Sequence, residues 1–296
     1  MRVACPLCQN ESQFLYNIDR NEGEPFSIYI CRTCAFQFRY PLPTEEETRA
    51  MYDQGYYEGT NSYTYEDERK ALKYYDKVWR SRLKTLKRHL GTHSQKPVFL
   101  DVGCSFGGFA ESAHRQGFQS FGVEISDFAR EQAARFAPHV SVYRDLCETG
   151  LSTASVDIIT MVEVIEHVAD PKTMIRDLVD LLKPGGILMI QTANMDSRQA
   201  KDAGKDYHYY LPGHYSYFSR RHFINLAREF YLSKVKIFQP VDFSLAAKLG
   251  KMRKDYAHIN KDYLRRAWNT AKYHYESYLH WGNHARTASM VVYLIK

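Results

Sequence analysis

The stretch Val98-Phe-Leu-Asp-Val-Gly-Cys-Ser-Phe-Gly-Gly108 decides the fold class of this chain of 296 residues. Its first half is an apolar run with the length of a buried β-strand, and its second half is rich in glycine and other small residues. Small residues are needed where the backbone approaches a ligand closely and where a helix packs on a strand. The stretch therefore predicts a first strand that ends in a ligand-binding turn before a helix.

Strand-like and helical patterns alternate after this stretch. Apolar runs of strand length lie at 120–125, 141–146, 156–164 and 187–193, and helical patterns lie near 107–116, 127–136 and 171–182. Such alternation with short connections is typical of parallel strands joined by right-handed crossovers. We therefore predict an α/β fold of the doubly wound class, completed by a helix near 220–229 and strands near 233–238 and 288–295.

Composition and length favour a folded domain with a small appendage. Hydrophobic residues make up 44% of the chain and charged residues 25%, as in ordinary globular proteins. The apolar runs are all shorter than the roughly 18 residues of a membrane span, and the N-terminal segment lacks the apolar core of a signal peptide. We therefore expect a cytoplasmic protein without a membrane span, and the pattern indicates no particular oligomeric state.

We divide the chain into a cysteine-containing lobe at 1–42, a helical lid or linker at 43–95 and an α/β domain at 96–296. Thr44, followed by three glutamates, predicts a helix start. Residues 244–286 form a helical insert with nine Lys or Arg and three acidic residues, so its net charge is +6. Aromatic residues are interleaved with these charges at Tyr256, Tyr263, Trp268, Tyr273, Tyr275, Tyr278 and Trp281. The insert could bind RNA, an anionic nucleotide-sugar, a membrane surface or a partner subunit. A pair of packed helices without a ligand is an equally open interpretation.

Four of the six cysteines form two Cys-x-x-Cys pairs, Cys5 with Cys8 and Cys31 with Cys34. Two such pairs predict one tetrahedral zinc site with four thiolate ligands, and a site with no open position is structural. A redox-active Cys-x-x-Cys is the competing interpretation, but it requires two independent motifs in one small lobe. The lobe therefore favours structural zinc.

The glycine-rich turn does not match the fingerprints of two common nucleotide sites. It lacks the Gly-x-Gly-x-x-Gly spacing that places a helix against pyrophosphate, and no Gly-Lys-Ser/Thr for a nucleoside triphosphate is present. Glu124 follows Asp101 by 23 residues at the end of the second strand, where a carboxylate accepts both hydroxyls of an adenosine ribose. These features favour an adenosine-containing ligand without pyrophosphate.

About a hundred residues carry a family resemblance, in five motifs that occur in order. The motifs are VFLDVGCSFGGF at 98–109, FGVEIS at 121–126, YRDL at 143–146, VDIITMVEVIEHVADP at 156–171 and LLKPGGILMIQTAN at 181–194. In this order and spacing the set resembles the class I methyltransferases that use S-adenosylmethionine. The resemblance implies a mostly parallel seven-stranded sheet and S-adenosylmethionine as the cofactor.

The same resemblance implies roles for individual residues. It places the turn of Asp101, Gly103 and Gly107 under the methionine part of the cofactor, and Ser105 there departs from the more usual glycine. Glu124 would bind the ribose. Asp145 and Leu146 would contact the adenine, and Glu163 would lie beside the methionine end. Tyr52, Tyr56 and Tyr57 fall in a stretch that covers the cofactor pocket as a lid in similar chains.

Three histidines are candidates for a general base that removes a proton from the methyl acceptor. His167 follows the fourth strand at its carboxyl end, where an open parallel sheet places ligands, and a structural role before Pro171 is its alternative. His208 and His214 lie in a Tyr/His-rich loop after the fifth strand that can reach the same edge. A histidine shortly before a Phe-Ser helix start, like His214, is common in similar enzymes, and we favour it over His208.

The leading hypothesis is an enzyme that methylates a small or medium-sized polar metabolite, such as a sugar, a glycan unit or a natural-product intermediate. Several methyltransferases of this kind look like this chain in the four-cysteine lobe and the Glu166-His167 pair. An RNA methyltransferase with a zinc ribbon is the alternative, although residues 1–42 have no net charge and RNA binding requires cations. A module that binds the cofactor without transferring methyl is the third hypothesis, and the acceptor atom stays open between O, N and C.

Overall fold

The computed structural model describes residues 3–19, 25–59, 66–91, 95–239, 241–256, 258–276 and 288–296. Its strands are β1 (Val3–Ala4), β2 (Glu11–Ile18), β3 (Phe26–Cys31), β4 (Gln37–Tyr40), β5 (Val98–Val102), β6 (Gln119–Val123), β7 (Ser141–Tyr143), β8 (Val156–Val162), β9 (Leu182–Ala193), β10 (Ser216–Tyr217), β11 (Lys234–Phe238) and β12 (Ser289–Ile295). Its helices are α1 (Glu45–Met51), α2 (Gln54–Glu58), α3 (Leu72–His89), α4 (Gly108–His114), α5 (Asp127–Phe136), α6 (Pro171–Leu181), α7 (Arg198–Ala203), α8 (Arg220–Glu229), α9 (Leu245–Met252) and α10 (Lys261–Glu276).

The main sheet has seven strands in the order β11-β12-β9-β8-β5-β6-β7. Six of them run in the same direction, and only β12 runs the other way, because it pairs antiparallel with both β9 and β11 among the described strands. Strand β8 is buried along nearly its whole length because helices cover both faces of the sheet, which requires a continuous apolar run. The predicted fold, a doubly wound and mostly parallel seven-stranded sheet, is confirmed.

Each face of the main sheet has its own hydrophobic core. Leu83 and Leu86 of α3 pack with Phe109 of α4 on one face. On the other face, Ile175 of α6 packs in a core that also contains Phe223 of α8. Helices α3 and α4 therefore cover one face and α6 and α8 the other. The carboxyl ends of β5, β6 and β8 meet at one edge of the sheet.

The cysteine-containing lobe forms a second sheet in the order β1-β2-β3-β4-β10. Its last strand comes from far along the chain, because Ser216 of β10 pairs with Phe38 of β4. Phe36 of the lobe packs edge-on against Phe218, with 5.0 Å between the ring centroids. The lobe is therefore joined to the α/β domain by both backbone pairing and apolar packing.

The helical stretch after the lobe is divided into α1, α2 and α3. The predicted start at Thr44 is confirmed, because the Glu47 amide donates to Thr44 Oγ1 at 3.2 Å and the Thr44 amide donates to Glu47 Oε2 at 2.6 Å. The predicted insert contributes α9 and α10, and α9 packs against α3. Tyr278, Trp281 and Arg286 of the insert lie outside the described residues. None of the described helices is long and apolar enough to cross a membrane.

Candidate active site

One cavity of about 940 Å³ lies at the edge where the carboxyl ends of β5, β6 and β8 meet. Nine of the predicted site residues line it together, namely Asp101, Gly103, Ser105, Glu124, Asp145, Leu146, Glu163, His167 and His214. The N-terminal helices close one side with Tyr52, Tyr56 and Tyr57. Of the predicted cofactor-binding and catalytic residues, Gly107 and His208 are absent from this lining.

The glycine-rich turn follows β5 and brings its backbone directly to the cavity. Gly103 has φ +71°, and a Cβ atom there would lie 2.3 Å from Val164, so other residues do not fit. Gly107 has φ +77°, and its Cβ would lie 2.8 Å from that of Ala137, so this glycine lets the turn pack against the end of α5. Ser105 also has a positive φ of 51°, which explains why glycine is more usual at this position.

Glu124 is a buried carboxylate held by backbone donors. The Ser105 amide donates to its Oε2 at 2.9 Å, and the Ser126 amide donates to its Oε1 at 2.9 Å. The Tyr57 hydroxyl donates to Oε1 at 3.3 Å from the N-terminal helices. Burial raises the pKa of Glu124, while the hydrogen bonds from Ser126, Ser105 and Tyr57 act in the opposite direction. The carboxylate is therefore fixed at the end of β6, facing the cavity.

Asp101 lies at the bottom of the same half of the cavity. It is buried and accepts a hydrogen bond from the Thr160 hydroxyl at 2.5 Å. Burial raises the pKa of Asp101 to about 7, so its carboxyl group changes charge near neutral pH. At the other end, Asp145 and Leu146 follow the short strand β7, where the Glu148 amide donates to Asp145 Oδ1 at 3.1 Å.

His167 and His214 lie next to each other at the opposite half of the cavity. Their ring centroids are 4.7 Å apart and their planes are nearly perpendicular. Nδ1 of His167 is 2.7 Å from the Gly213 carbonyl, and Nδ1 of His214 is 2.8 Å from the Tyr209 carbonyl. A carbonyl oxygen only accepts, so Nδ1 carries the hydrogen in both rings and Nε2 carries a lone pair.

Burial also sets the charge of the two histidines. It lowers the pKa of His167 to about 4, and it lowers the pKa of His214 below the ordinary range, with a further contribution from His167. Both imidazoles are therefore neutral near pH 7, and each has a lone pair that can accept a proton. His208 differs, because it is exposed and its ring packs on the outer side against Tyr207 and Tyr209.

Comparison with known proteins agrees with this geometry. A family model described as a methyltransferase domain matches residues 71–236, more than half of the chain. The chain belongs to this methyltransferase family. The five motifs on one cavity place it among the class I methyltransferases that use S-adenosylmethionine, as the resemblance implied.

Curated relatives match only part of the methyltransferase. It is 33% identical over 124 residues to a ubiquinone biosynthesis O-methyltransferase of Acinetobacter baylyi. The aligned segment covers 40% of this chain and 52% of that protein. A protein of the same name from Caulobacter vibrioides is 36% identical over 103 residues, or 33% of this chain and 41% of the relative. The chain thus spans about half the length of the curated relatives it matches or less.

Solved structures share the fold at low sequence identity. Phosphoethanolamine N-methyltransferase 2 of Haemonchus contortus superposes with a TM-score of 0.53 at 16% identity, covering 100% of this chain and 70% of that one. Geranyl diphosphate C-methyltransferase of Streptomyces coelicolor gives a TM-score of 0.51 at 15% identity, with coverage of 86% and 98%. At these identities the superpositions show that the fold is shared.

The methyltransferase also places in its cavity residues that the sequence did not single out. Arg82 of α3 is buried and forms an ion pair with Asp242 at 2.7 Å, and its guanidinium also donates to Gln191 Oε1 at 2.5 Å. Gln191 Nε2 in turn donates to Glu163 Oε1 at 2.8 Å. A buried arginine in a helical pattern gives no signal by itself, because its partner lies 160 residues away in sequence.

Glu166 forms a polar group with the two histidines. It is 1% exposed, its Oε2 accepts from the Thr192 hydroxyl at 3.1 Å, and its Oε1 has no hydrogen-bond partner among the described residues. One ligand atom from each of Glu166, His167 and His214 lies within 4.8 Å of the others. Burial and the nearby Glu163 raise the pKa of Glu166. The pairing of Glu166 with His167 in sequence was the signal for this group.

The four paired cysteines of the methyltransferase converge in the lobe. Their sulfur atoms lie close together, with Sγ–Sγ distances of 3.6 Å for Cys5–Cys34, 3.5 Å for Cys8–Cys31 and 3.6 Å for Cys8–Cys34. Zn–S bonds of about 2.3 Å in a tetrahedron give edges of about 3.8 Å. The amides of Thr33 and Cys34 point at Cys31 Sγ at 3.4 Å each, as donors to a thiolate do. The cluster is therefore compatible with a zinc ion.

Proposed function

We propose that this enzyme transfers a methyl group to a small or medium-sized polar metabolite. Among such acceptors we favour a sugar, a glycan unit or a natural-product intermediate. The observation that carries the proposal is the sharing of one cavity by the cofactor motifs and the histidine pair. The volume of about 940 Å³ has to hold both the cofactor and the acceptor, which favours an acceptor of modest size. We call the part of the cavity lined by His167 and His214 its acceptor half, and the polar side chains there favour an acceptor with hydroxyl or amino groups.

The geometry of the other half, the cofactor half, supports a proposal for the residues that would hold the cofactor. Glu124 is the ribose acceptor in this proposal, Asp145 and Leu146 border the adenine, and Gly103 and Asp101 lie at the methionine end. When bound, S-adenosylmethionine supplies a methyl group on a sulfonium, and the acceptor takes it with release of S-adenosylhomocysteine and a proton. The chain has to align the acceptor and to receive that proton.

His167 is the proposed general base, with His214 beside it. Its Nδ1–H is donated to the Gly213 carbonyl at 2.7 Å, and this bond fixes the ring so that Nε2 presents a lone pair. The proton of the acceptor O–H, N–H or acidic C–H would move to this nitrogen as the bond to the methyl carbon forms. His208 leaves the proposal because its exposed ring does not line the cavity.

The experiment for this proposal incubates the full chain with S-adenosylmethionine labelled in its methyl group and with fractionated metabolites and RNA. Label is expected in a small-molecule fraction. Label confined to RNA would replace the proposed acceptor class with the RNA alternative, and release of no S-adenosylhomocysteine with any fraction would contradict the transfer proposal. A separate comparison of His167→Ala and His214→Ala tests the base, since full activity in both variants would remove it.

We propose further that the lobe holds one structural zinc ion on Cys5, Cys8, Cys31 and Cys34. Zinc content is expected at one ion per chain by atomic absorption. Cys31→Ser should lower both the zinc content and the free energy of unfolding, because the closed site stabilises a lobe whose sheet ends in β10. The matched control is Cys147→Ser, at an exposed thiol outside the lobe. Equal zinc content in the two variants would contradict the proposed site.

A further inference from the structure

Helix α10 of the insert has an apolar side that the described residues leave uncovered. Leu264 is 57% exposed, Trp268 71% and Tyr275 66%. Their spacing places the three side chains within about 40° of one another around the helix, at 100° per residue. The opposite side packs inward, because His274 is buried and the Thr270 hydroxyl reaches Met252 Sδ of α9 at 3.7 Å. The exposed stripe is therefore a continuous surface and not a set of scattered residues.

Cations border this stripe on its solvent-facing flank. Lys261, Arg265 and Lys272 are exposed, and they lie about 60–100° around the helix from Leu264. Arg265 also forms an exposed ion pair with Asp262 at 3.1 Å, which water and salt weaken. Ile259, which is 64% exposed, extends the apolar surface just before the helix. An apolar stripe with a tryptophan and a basic flank is the pattern of a helix that lies in a lipid interface.

We propose that this side of α10 docks on a membrane surface that contains anionic lipid. The charge of the described part of the insert supports this partner, since residues 244–256 and 258–276 contain eight Lys or Arg and three acidic residues. Anionic headgroups would contact Lys261 and Lys272, while Leu264 and Trp268 would enter the boundary between headgroups and acyl chains.

The other occupants fit this surface less well. A second copy of the chain, placed across a twofold axis, would bring the same cations together, and one stripe of a 16-residue helix is small beside the roughly 800 Å² per partner of a stable interface. Single-stranded RNA uses aromatic rings for stacking beside cations, but Leu264 and Ile259 offer no such ring. An anionic lipid surface uses both the aliphatic and the aromatic members of the stripe.

The docked side lies one helix away from the cavity. Helix α10 packs on α9, and Lys251 of α9 lines the cavity and stacks over Tyr75 with its Nζ 4.1 Å from the ring centroid. Because α9 packs on the side of α10 opposite the stripe, docking would leave α9 between the docked helix and the cavity. The proposal concerns this surface alone and does not depend on which acceptor the enzyme methylates.

The test is flotation of the full chain with phosphatidylcholine vesicles, with and without phosphatidylglycerol. Binding is expected only to the vesicles with phosphatidylglycerol, and it should weaken as salt is raised. The double variant Leu264→Ser/Trp268→Ser and the double variant Lys261→Glu/Lys272→Glu should each lower the partition coefficient by at least about tenfold. These side chains are exposed, so the thermal unfolding midpoint and cofactor binding should change little.

Matched controls remove equivalent groups elsewhere on the surface. Tyr231→Ser replaces an aromatic side chain that is 94% exposed, and Lys84→Glu reverses an exposed cation on α3. Both should bind vesicles like the unchanged chain. Absence of binding, equal binding to neutral vesicles, or equal loss in the controls would each overturn the proposal. So would a dimer, or retention on RNA, that both double variants abolish while vesicle binding stays unchanged.

Discussion

The two halves of the cavity differ in how far apart in sequence their contacting residues lie. In the cofactor half, Glu124 accepts from Ser105, 19 residues away, and from Ser126, two residues away. In the acceptor half, Tyr52 reaches His167 across 115 residues, and the Gly213 carbonyl reaches the same ring across 46. A half made mainly from the carboxyl ends of the neighbouring strands β5, β6 and β7 can be recognised in the sequence, although Tyr57 reaches Glu124 across 67 residues. A half made from three separate segments has to be seen in the structure.

The two halves also carry opposite kinds of titratable group. The cofactor half contains buried carboxyl groups, and burial raises the pKa of Asp101 to about 7. The acceptor half contains buried imidazoles, and burial lowers the pKa of His167 to about 4. In both cases the low dielectric favours the neutral form of the group, so burial raises the pKa of the acids and lowers the pKa of the bases. Mutation and pH should therefore separate cofactor binding from methyl transfer.

The largest effect is expected from His167→Ala, which should lower kcat by about 10²- to 10⁴-fold, the usual contribution of a general base. The dissociation constant of S-adenosylmethionine should stay within a few-fold, because the ring lies in the acceptor half. Single-turnover methylation and calorimetric titration measure the two quantities. The matched control is His208→Ala, at an exposed ring outside the cavity lining. Equal kcat values in the two variants would show that His167 takes no proton.

A smaller effect, in the opposite half, is expected from Glu124→Ala. Loss of charged hydrogen bonds to the ribose should raise the dissociation constant of S-adenosylmethionine by about 10- to 100-fold. Rates at saturating cofactor should change little. The variant should therefore lose cofactor affinity and keep kcat, which is the reverse of the effect expected for His167→Ala. Glu111→Ala removes another buried carboxylate, one that bonds His139 Nδ1 at 3.0 Å and does not line the cavity. A similar loss of affinity in this control would trace the effect to general destabilisation.

The sequence was sufficient for most of the cofactor half because its constraints are local. The glycines at 103 and 107 stand where a positive φ and close packing exclude side chains, and such requirements appear directly as residue type. Position alone placed Glu124 correctly at the cavity, since it follows the end of the strand next to β5. The pattern did not separate Gly107, which packs against Ala137, from Gly103, which lines the cavity.

Long-range contacts decide what the residue pattern could only rank. His208 and His214 share one loop and one residue type, and the pattern favoured His214; the structure buries His214 and leaves His208 exposed. The buried Arg82 needs Asp242, which the chain supplies only after the whole parallel sheet has been laid down. Strand β10 has two residues, too few for any periodic signal, and it exists because β4 offers it an edge. These choices depend on tertiary packing, which residue patterns do not encode.

A pH titration should sharpen the comparison through Asp101. Its carboxylate is ionised above pH 7 and takes up a proton as the pH falls through about 7. The neutral form attracts a cationic sulfonium and ammonium ligand less, so affinity for S-adenosylmethionine should decline below pH 7, by at most about tenfold per pH unit. Titrations above and below pH 7 measure this decline. Asp101→Asn should bind weakly at every pH, and an unchanged slope in that variant would assign the proton to another group.

The smallest effect is expected from Tyr52→Phe, which tests whether the lid acts on the acceptor half. The Tyr52 hydroxyl is 2.7 Å from His167 Nδ1, whose hydrogen is already directed at the Gly213 carbonyl, so the hydroxyl oxygen shares that hydrogen as a second acceptor. Its removal should lower kcat by about 2- to 10-fold, the value of one hydrogen bond, without changing cofactor affinity. An acceptor near Nδ1 stabilises the protonated ring, so the pKa of His167 and the acid limb of the rate profile should move down and not up. Tyr231→Phe, at an exposed ring, is the control. An upward shift would mean that Tyr52 donates to this nitrogen, and would exchange the roles of the two ring nitrogens.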